Sequence, residues 1–189
     1  MDDGDIRTTE TRQDAETAPE PEPAGRLMVE LVEDDGDWSA FAPVEATVMA
    51  AARAVSDAPE LALGHVEATV ALSSDAIVRD LNRTYRQQDK PTNVLSFPAP
   101  ALPAGAHAGA SADRRPLGDV VLAAETVAQE AQALGISPTH HLQHLVVHGL
   151  LHLIGFDHLT DAQATEMESL ETKLLARLGV ADPYAEPAT

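Results

Sequence analysis

Three histidines in the segment HGLLHLIGFDH, residues 148–158, constrain this chain more than any other feature. His148 and His152 are four residues apart, so on a helix their side chains project from one face and can share an ion. Gly155 can take the left-handed conformation that ends a helix, after which the chain can turn back toward the same ion. We therefore predict a three-histidine metal site in which His158 approaches from a different direction.

His144 extends the row of histidines, but we do not expect it to bind the same ion. At a rise of about 1.5 Å per residue, His144 and His152 stand roughly 12 Å apart along a helix. A metal–nitrogen bond is only about 2 Å long, so one ion cannot bridge that row. The histidines outside the predicted site are interpreted as ordinary surface or core residues: His65, His107, His140, His141 and His144.

The composition limits which metals and ligands are available. The chain has no cysteine, which excludes disulfides, iron–sulfur clusters and thiolate zinc sites. Three neutral imidazoles suit zinc and leave a coordination position open, as in catalytic rather than structural zinc sites. Copper and nickel would bind such a site at least as tightly in vitro, so one Zn²⁺ ion is the expected cofactor but not the only candidate.

The formal charge of −19 opposes general attraction to nucleic acid. Residues 1–25 contribute −6 of it, from eight acidic residues and two arginines, and are interpreted as a disordered acidic tail. The remainder is still −13. An RNA-binding protein of this charge needs a local basic patch or delivery by a partner.

Residues 26–184 are predicted to form one domain, with a short C-terminal tail at 185–189. Period-two patterns and short apolar runs predict strands at 26–33, 66–72, 94–97 and 120–122. Helical patterns with capping signals predict helices at about 43–55, 75–87, 123–134, 138–154 and 160–178. Residues 99–116, rich in Ala, Pro and Gly, are interpreted as a surface loop. The class is α+β, a small mixed sheet of about four strands packed with helices.

No secretory signal is recognisable, and the longest apolar stretch is far shorter than the roughly 20 residues of a membrane helix. We expect a cytoplasmic protein with no membrane partner.

A zinc metalloprotease is the first alternative to consider for such a histidine pair. The H-E-x-x-H proteases carry a glutamate directly after the first histidine as general base. That position is Gly149 here. A peptide hydrolase is therefore the second choice.

Several blocks of the sequence resemble one family. The H-x3-H-x5-H segment resembles the metal signature of the YbeY family of single-strand-specific endoribonucleases. The segment Asp89-Lys90-Pro91-Thr92-Asn93-Val94-Leu95-Ser96-Phe97-Pro98, preceded by Leu81-Asn82 and Tyr85-Arg86, resembles its other strong block. Leu117-Gly118-Asp119 resembles a third, and Leu178-Gly179 through Pro183-Tyr184 its usual ending. Together these blocks cover most of residues 26–184; the acidic tail and the 99–116 loop lie outside the family core.

The resemblance implies a function and assigns residues. It implies a zinc-dependent endoribonuclease that matures the 3′ end of 16S ribosomal RNA and acts in late ribosome quality control, with a zincin-like metal helix. Its partners would be single-stranded rRNA, the small ribosomal subunit, and ribosomal-protein or GTPase assembly factors. By position, His148, His152 and His158 are the metal ligands and Arg86 is the functional arginine. A non-catalytic, metal-stabilised ribosome assembly factor is the third alternative.

Other residues are candidates for substrate contact and proton transfer. Arg86 can bind the scissile phosphate with its planar donor set, while water or the ribose 2′-hydroxyl attacks. Arg79, Arg83, Arg86 and Lys90 recur along the polar face of their helix, which indicates either a phosphate track or an ordinary solvated face. Asp119 and Asp157 are weaker candidates for a proton-accepting or ligand-orienting role.

Overall fold

A computed structural model describes residues 27–100 and 114–185. The acidic tail of residues 1–25, most of the predicted loop with His107, and residues 186–189 lie outside this part of the chain. The strands are β1 Leu27–Glu33, β2 Val66–Ser73, β3 Val94–Pro98 and β4 Arg115–Ala123. The helices are α1 Val44–Ser56, α2 Asp75–Arg86, α3 Ala124–Leu134, α4 Pro138–Ile154 and α5 Asp161–Arg177. Two 3-10 turns, Ser39–Phe41 and Pro59–Leu61, were not expected from the sequence.

The strands form one mixed sheet in the order β1-β2-β4-β3. β1 pairs with β2 and β2 with β4 in parallel, whereas β3 pairs with β4 antiparallel, with Val94 opposite Leu122 and Phe97 opposite Asp119. β3 is therefore an edge strand among the described residues. The predicted α+β class with a small mixed sheet of four strands is confirmed.

Successive side chains of β4 point to opposite faces of the sheet. Val120 and Leu122 point into the main core, which α1, α4 and α5 share with β2. Ala123 belongs to a smaller cluster with Val78 of α2 and Leu95 of β3 on the other face. Burying these aliphatic side chains on both faces is the main favourable contribution to folding, at about 25 cal/mol per Å² of apolar surface. α4 thus lies on the main core side, next to β3.

The helix ends follow the sequence signals, with different cap chemistry. α4 begins at Pro138 and ends before Gly155, whose φ is +112°. α5 begins after Thr160, which forms a capping box with Gln163. Ser74 precedes α2 as predicted, but its hydroxyl donates to the Asp35 carboxylate instead of capping the helix.

β4 begins earlier than the sequence predicted. Arg115 and Pro116 fall in the predicted 99–116 loop but already pair with β2. Proline and glycine are poor strand residues, which is why the run before Val120 has the pattern of a loop. β4 accommodates the proline because its pairing with β2 shifts register beside Pro116, as at a β-bulge.

Among the residues that the structure describes, no helix is both long and apolar enough to cross a membrane.

Candidate metal centre

α4 holds His148 and His152 rigidly one turn apart. Their ring centroids are 4.5 Å apart and their Nε2 atoms 3.1 Å apart. Both rings are partly buried, because the rest of the helix packs into the core. The pairing expected from the i, i+4 spacing is present.

Gly155 supplies the turn that brings His158 to this pair. Its positive φ ends α4, and the Phe156 amide then donates back to the Leu151 carbonyl, so the chain reverses within one turn. The His158 ring lies 5.7 Å from the His148 ring and 5.0 Å from the His152 ring, measured between centroids. One ligand nitrogen from each of the three lies within 4.8 Å of the other two, so the group can hold a metal ion.

The hydrogen bonds of the first two rings fix which nitrogen carries the proton. His148 Nδ1 is 2.7 Å from a carboxylate oxygen of Glu171, and His152 Nδ1 is 3.0 Å from the Phe156 carbonyl. Both partners only accept, so each Nδ1 donates, and in the neutral ring the lone pair is then on Nε2. Burial, followed by the charge of His148, lowers the pKa of His152, which favours this neutral form.

The resulting arrangement fits a metal ion. Two Nε2 lone pairs facing each other at 3.1 Å repel unless a cation lies between them. Nitrogens that share a tetrahedral zinc at about 2.0–2.1 Å lie roughly 3.3 Å apart, close to the separation seen. The donor chemistry and the spacing therefore agree with a zinc-type site.

Glu171 of α5 completes the surroundings of the site and was missed by the sequence reasoning. Its side chain is fully buried and accepts hydrogen bonds from His148 and, at 3.4 Å, His144, as well as from the Tyr184 hydroxyl. Burial alone raises the pKa of Glu171, but the hydrogen bonds from His144 and His148 outweigh it and lower the pKa to about 2. A signal existed in the sequence: residue 171 falls on the apolar face of α5 with Met167 and Leu174, where an acidic residue needs partners.

His144 lies outside the three-histidine group, as predicted. It contacts Glu171 and packs edge-on against His148, with 6.2 Å between ring centroids. His144, His148 and Glu171 also form a close group of potential ligand atoms, but both Glu171 oxygens already accept hydrogen bonds there. His141, one turn earlier, bonds instead to Glu130 of α3.

A pocket of about 540 Å³ opens over the three histidines. Arg86, at the end of α2, lines it and has no carboxylate partner among the residues that the structure describes. By contrast, Arg79 forms a two-pronged pair with Asp89, and Arg83 pairs with Asp80. The remaining wall comes from the edge strand and the turn after α4: Thr92, Asn93, Val94, Ser96, Pro98, Gly155, Phe156, Asp157 and Leu159.

The two aspartates considered as proton acceptors lie in different places. Asp157 lines the histidine pocket, where its carboxylate accepts from the His158 amide. Asp119 lines a separate pocket of about 420 Å³, together with Met28 and Glu67 and none of the three histidines. Only Asp157 is therefore placed to act at the centre.

Gly149 explains why the metalloprotease glutamate is absent. A Cβ at this position would lie 2.6 Å from Cγ1 of Val120, since α4 approaches β4 closely there. The Ser96 hydroxyl also donates to the Gly149 carbonyl at 3.2 Å. A glutamate after His148 would point into the sheet instead of the pocket and would have no room.

The fold and the site together define a class of protein. It is an α+β protein in which one helix and the turn after it bring three imidazoles into an open pocket that can hold one metal ion. The sequence profile of the family described as "Endoribonuclease YbeY" matches residues 38–179. The chain belongs to the YbeY family.

Two individual relatives agree with this assignment. The "Endoribonuclease YbeY" of Azorhizobium caulinodans is 52% identical over 163 residues, covering 84% of this chain and 96% of its own. Its namesake in Rhodospirillum rubrum is 47% identical over 171 residues, covering 85% and 82%. A solution structure from Thermotoga maritima aligns with 84% of this chain and 100% of its own, at 18% identity and a TM-score of 0.45.

Proposed function

We propose that this chain is a zinc-dependent endoribonuclease that cleaves single-stranded RNA. Its relatives carry the name endoribonuclease, and the chain covers most of their length. The observation that carries the proposal is the convergence of three imidazoles in a pocket that also contains Arg86, which has no ion-pair partner among the described residues. That combination offers a metal and a cation to one phosphodiester.

His148, His152 and His158 are proposed to hold the ion. When bound, zinc supplies Lewis acidity toward the phosphate oxygens and the attacking oxygen. The Glu171 and Phe156 acceptors keep the first two rings in the tautomer that presents Nε2. Imidazole nitrogen is a ligand that zinc favours, although copper and nickel bind such donors at least as tightly in vitro.

Arg86 is proposed to bind the scissile phosphate. Its guanidinium is always charged and can donate two parallel hydrogen bonds to phosphate oxygens. Since no carboxylate neutralises it among the described residues, its charge remains available to the substrate. As the phosphate gains charge during cleavage, donors already in place stabilise that charge without reorganising.

The attacking oxygen comes from water or from the ribose 2′-hydroxyl. Asp157, on the wall of the same pocket, is the available carboxylate for accepting its proton. The products distinguish the two routes, because attack by the 2′-hydroxyl leaves a 2′,3′-cyclic phosphate and attack by water does not.

The biological substrate that we propose is ribosomal RNA. In this role the protein matures the 3′ end of 16S rRNA and acts in late ribosome quality control, in the cytoplasm, with the small subunit and its assembly factors as partners. A chain of net charge −19 gains little from unspecific attraction to RNA. Delivery on a ribosomal precursor would supply the local concentration that charge does not.

One assay tests the proposal against its alternatives. Purified protein without a His-tag is incubated with end-labelled single-stranded RNA, the same RNA annealed into a duplex, and a peptide pool, with and without chelator. We expect cleavage of the single strand alone, its loss on chelation, and its return with Zn²⁺. Cleavage of peptides would favour a metalloprotease, and metal binding without any cleavage would favour an assembly factor.

A further inference from the structure

The metal centre is attached to the C-terminal end of the domain through one buried carboxylate. Glu171 lies on α5 with no exposed surface, yet no lysine or arginine forms an ion pair with it among the described residues. One of its oxygens accepts from His148 Nδ1 at 2.7 Å. The other accepts from the Tyr184 hydroxyl and, at 3.4 Å, from His144.

This carboxylate determines what His148 presents to the pocket. A carboxylate that only accepts keeps a proton on His148 Nδ1, so the neutral ring presents the lone pair of Nε2, the nitrogen that faces His152. Were Glu171 to rotate, the ring would lose its orientation. The position of the carboxylate therefore matters as much as its presence.

Tyr184 restrains that position from the segment after α5. Its hydroxyl donates to Glu171, and its ring packs edge-on against His144, with 5.9 Å between centroids. Asp182 holds the same segment by accepting from the Thr172 hydroxyl and the Tyr184 amide. The segment Asp182-Pro183-Tyr184 therefore restrains Glu171, a role that neither the histidines nor Arg86 has.

We infer that Glu171 and Tyr184 are positioning residues, which together lock His148 in the orientation that binds metal. The inference rests on the proposed metal site. It adds that the C-terminal segment raises metal affinity without contributing a ligand. Removing acceptors behind a metal-binding histidine typically weakens binding by about 10- to 100-fold.

The test measures Zn²⁺ affinity in full-length protein by competition with a chromogenic chelator. We expect Glu171→Gln to weaken binding by about 10- to 100-fold. Tyr184→Phe, which removes one hydroxyl near the surface, should weaken it by about 2- to 10-fold, the value of one hydrogen bond. Thr165→Ala is the matched control, because it removes an exposed hydroxyl of the same helix that donates to the Asp161 carbonyl, away from Glu171, and should bind like wild type.

Urea unfolding of each chelated variant separates positioning from simple folding defects. The inference predicts that Tyr184→Phe loses metal affinity while its metal-free stability stays near that of Thr165→Ala. Wild-type affinity in both Glu171→Gln and Tyr184→Phe would overturn it, as would equal losses in Tyr184→Phe and Thr165→Ala. Failure of wild type to bind one Zn²⁺ would instead reject the metal site itself.

Nitrogen NMR of the metal-free protein gives a second readout. We expect the His148 ring of wild type to carry its proton on Nδ1. In Glu171→Gln the side chain offers one acceptor and one donor, so the tautomer preference should weaken. An unchanged His148 signal in that variant would contradict the positioning role.

Discussion

At the scale of single residues, the site depends on how closely α4 approaches the sheet. Gly149 leaves space for the Val120 side chain, and the two histidines beside it on the helix are placed by that contact. The same closeness excludes the glutamate of a metalloprotease. A packing requirement therefore also determines which chemistry the helix can support.

Gly149→Ala tests this packing requirement. Alanine favours a helix by about 1 kcal/mol over glycine, but its Cβ would lie 2.6 Å from Val120 Cγ1, on a stiff β-branched side chain. Overpacking costs about 1–3 kcal/mol, so we expect a net loss of up to about 2 kcal/mol in urea unfolding. Adding Val120→Ala should recover part of that loss. A stabilised single variant would show that the helix moves away freely.

Arg86→Ala tests the phosphate-binding role. Losing one preorganised charged donor should reduce the cleavage rate by about 100- to 1000-fold, while the amount of bound zinc stays the same. Arg83→Ala is the matched control, because Arg83 lies one turn earlier and is paired with Asp80; its rate should remain close to that of wild type. Equal losses in both variants would mean that the helix, not the arginine, was disturbed.

The residues of the site differ in how visible they are in the sequence. The three histidines are identifiable because two of them are four residues apart, and the glycine that follows can turn the chain so that the third approaches them. Glu171 is not, since its role depends on α5 packing against α4, a long-range contact that local pattern does not encode. A single acidic residue on an apolar helix face was the only sign of it.

At the scale of elements, α2 and the loop after it form the wall of the pocket opposite the histidines. Arg79 and Asp89 join the helix to the loop, and Asn82 of the helix donates to the Lys90 carbonyl at 2.8 Å. The hydrogen bonds between the two side chains raise the pKa of Arg79 and lower the pKa of Asp89. Arg79 and Arg83 are therefore already paired, which favours an ordinary solvated face for these two residues.

A pair of double variants separates these interpretations. Arg79→Gln with Arg83→Gln should change single-stranded RNA affinity by less than about twofold, because both charges are locally compensated. Arg86→Gln with Lys90→Gln should weaken binding and flatten its salt dependence by about 0.7 in log–log slope per lost phosphate contact. Fluorescence anisotropy at several salt concentrations measures both. Equal effects of the two double variants would instead favour the interpretation of all four residues as a continuous phosphate track.

Elements with a clear period or a clear apolar run were predicted within a residue or two, but the 3-10 turns and the start of β4 were not. α4 matches its predicted bounds because proline and glycine mark both ends. The 3-10 turns are too short to show a period. The early start of β4 and the strand order arise from pairing with β2, which is decided by distant residues.

At the scale of the whole molecule, the proposed ion would tie together parts of the chain that otherwise touch through few polar groups. Two ligands lie in α4, the third in the turn that leads to α5, and α5 contributes the carboxylate behind them. An ion that binds the folded chain better than the unfolded chain stabilises the fold by mass action. The free energy of unfolding should therefore increase as more of the protein binds metal.

Metal removal tests that coupling. At a free Zn²⁺ concentration of about 100 times Kd, the expected stabilisation is about 2.7 kcal/mol. For a domain of this size that corresponds to a Tm roughly 5–10 °C higher than with chelator. His158→Ala should shrink the difference between zinc and chelator, measured by calorimetry, while leaving the chelated Tm unchanged. A zinc-independent Tm in wild type would contradict metal binding.

The three imidazoles are not equally prepared for their task. Two are fixed on a helix with their inner nitrogens already facing each other, whereas the third sits exposed on a turn. A zinc ion would therefore meet two preorganised nitrogens on the helix, and His158 would supply the third from the turn. We therefore expect the association rate of the ion to depend mainly on the two helical histidines and its dissociation rate mainly on His158.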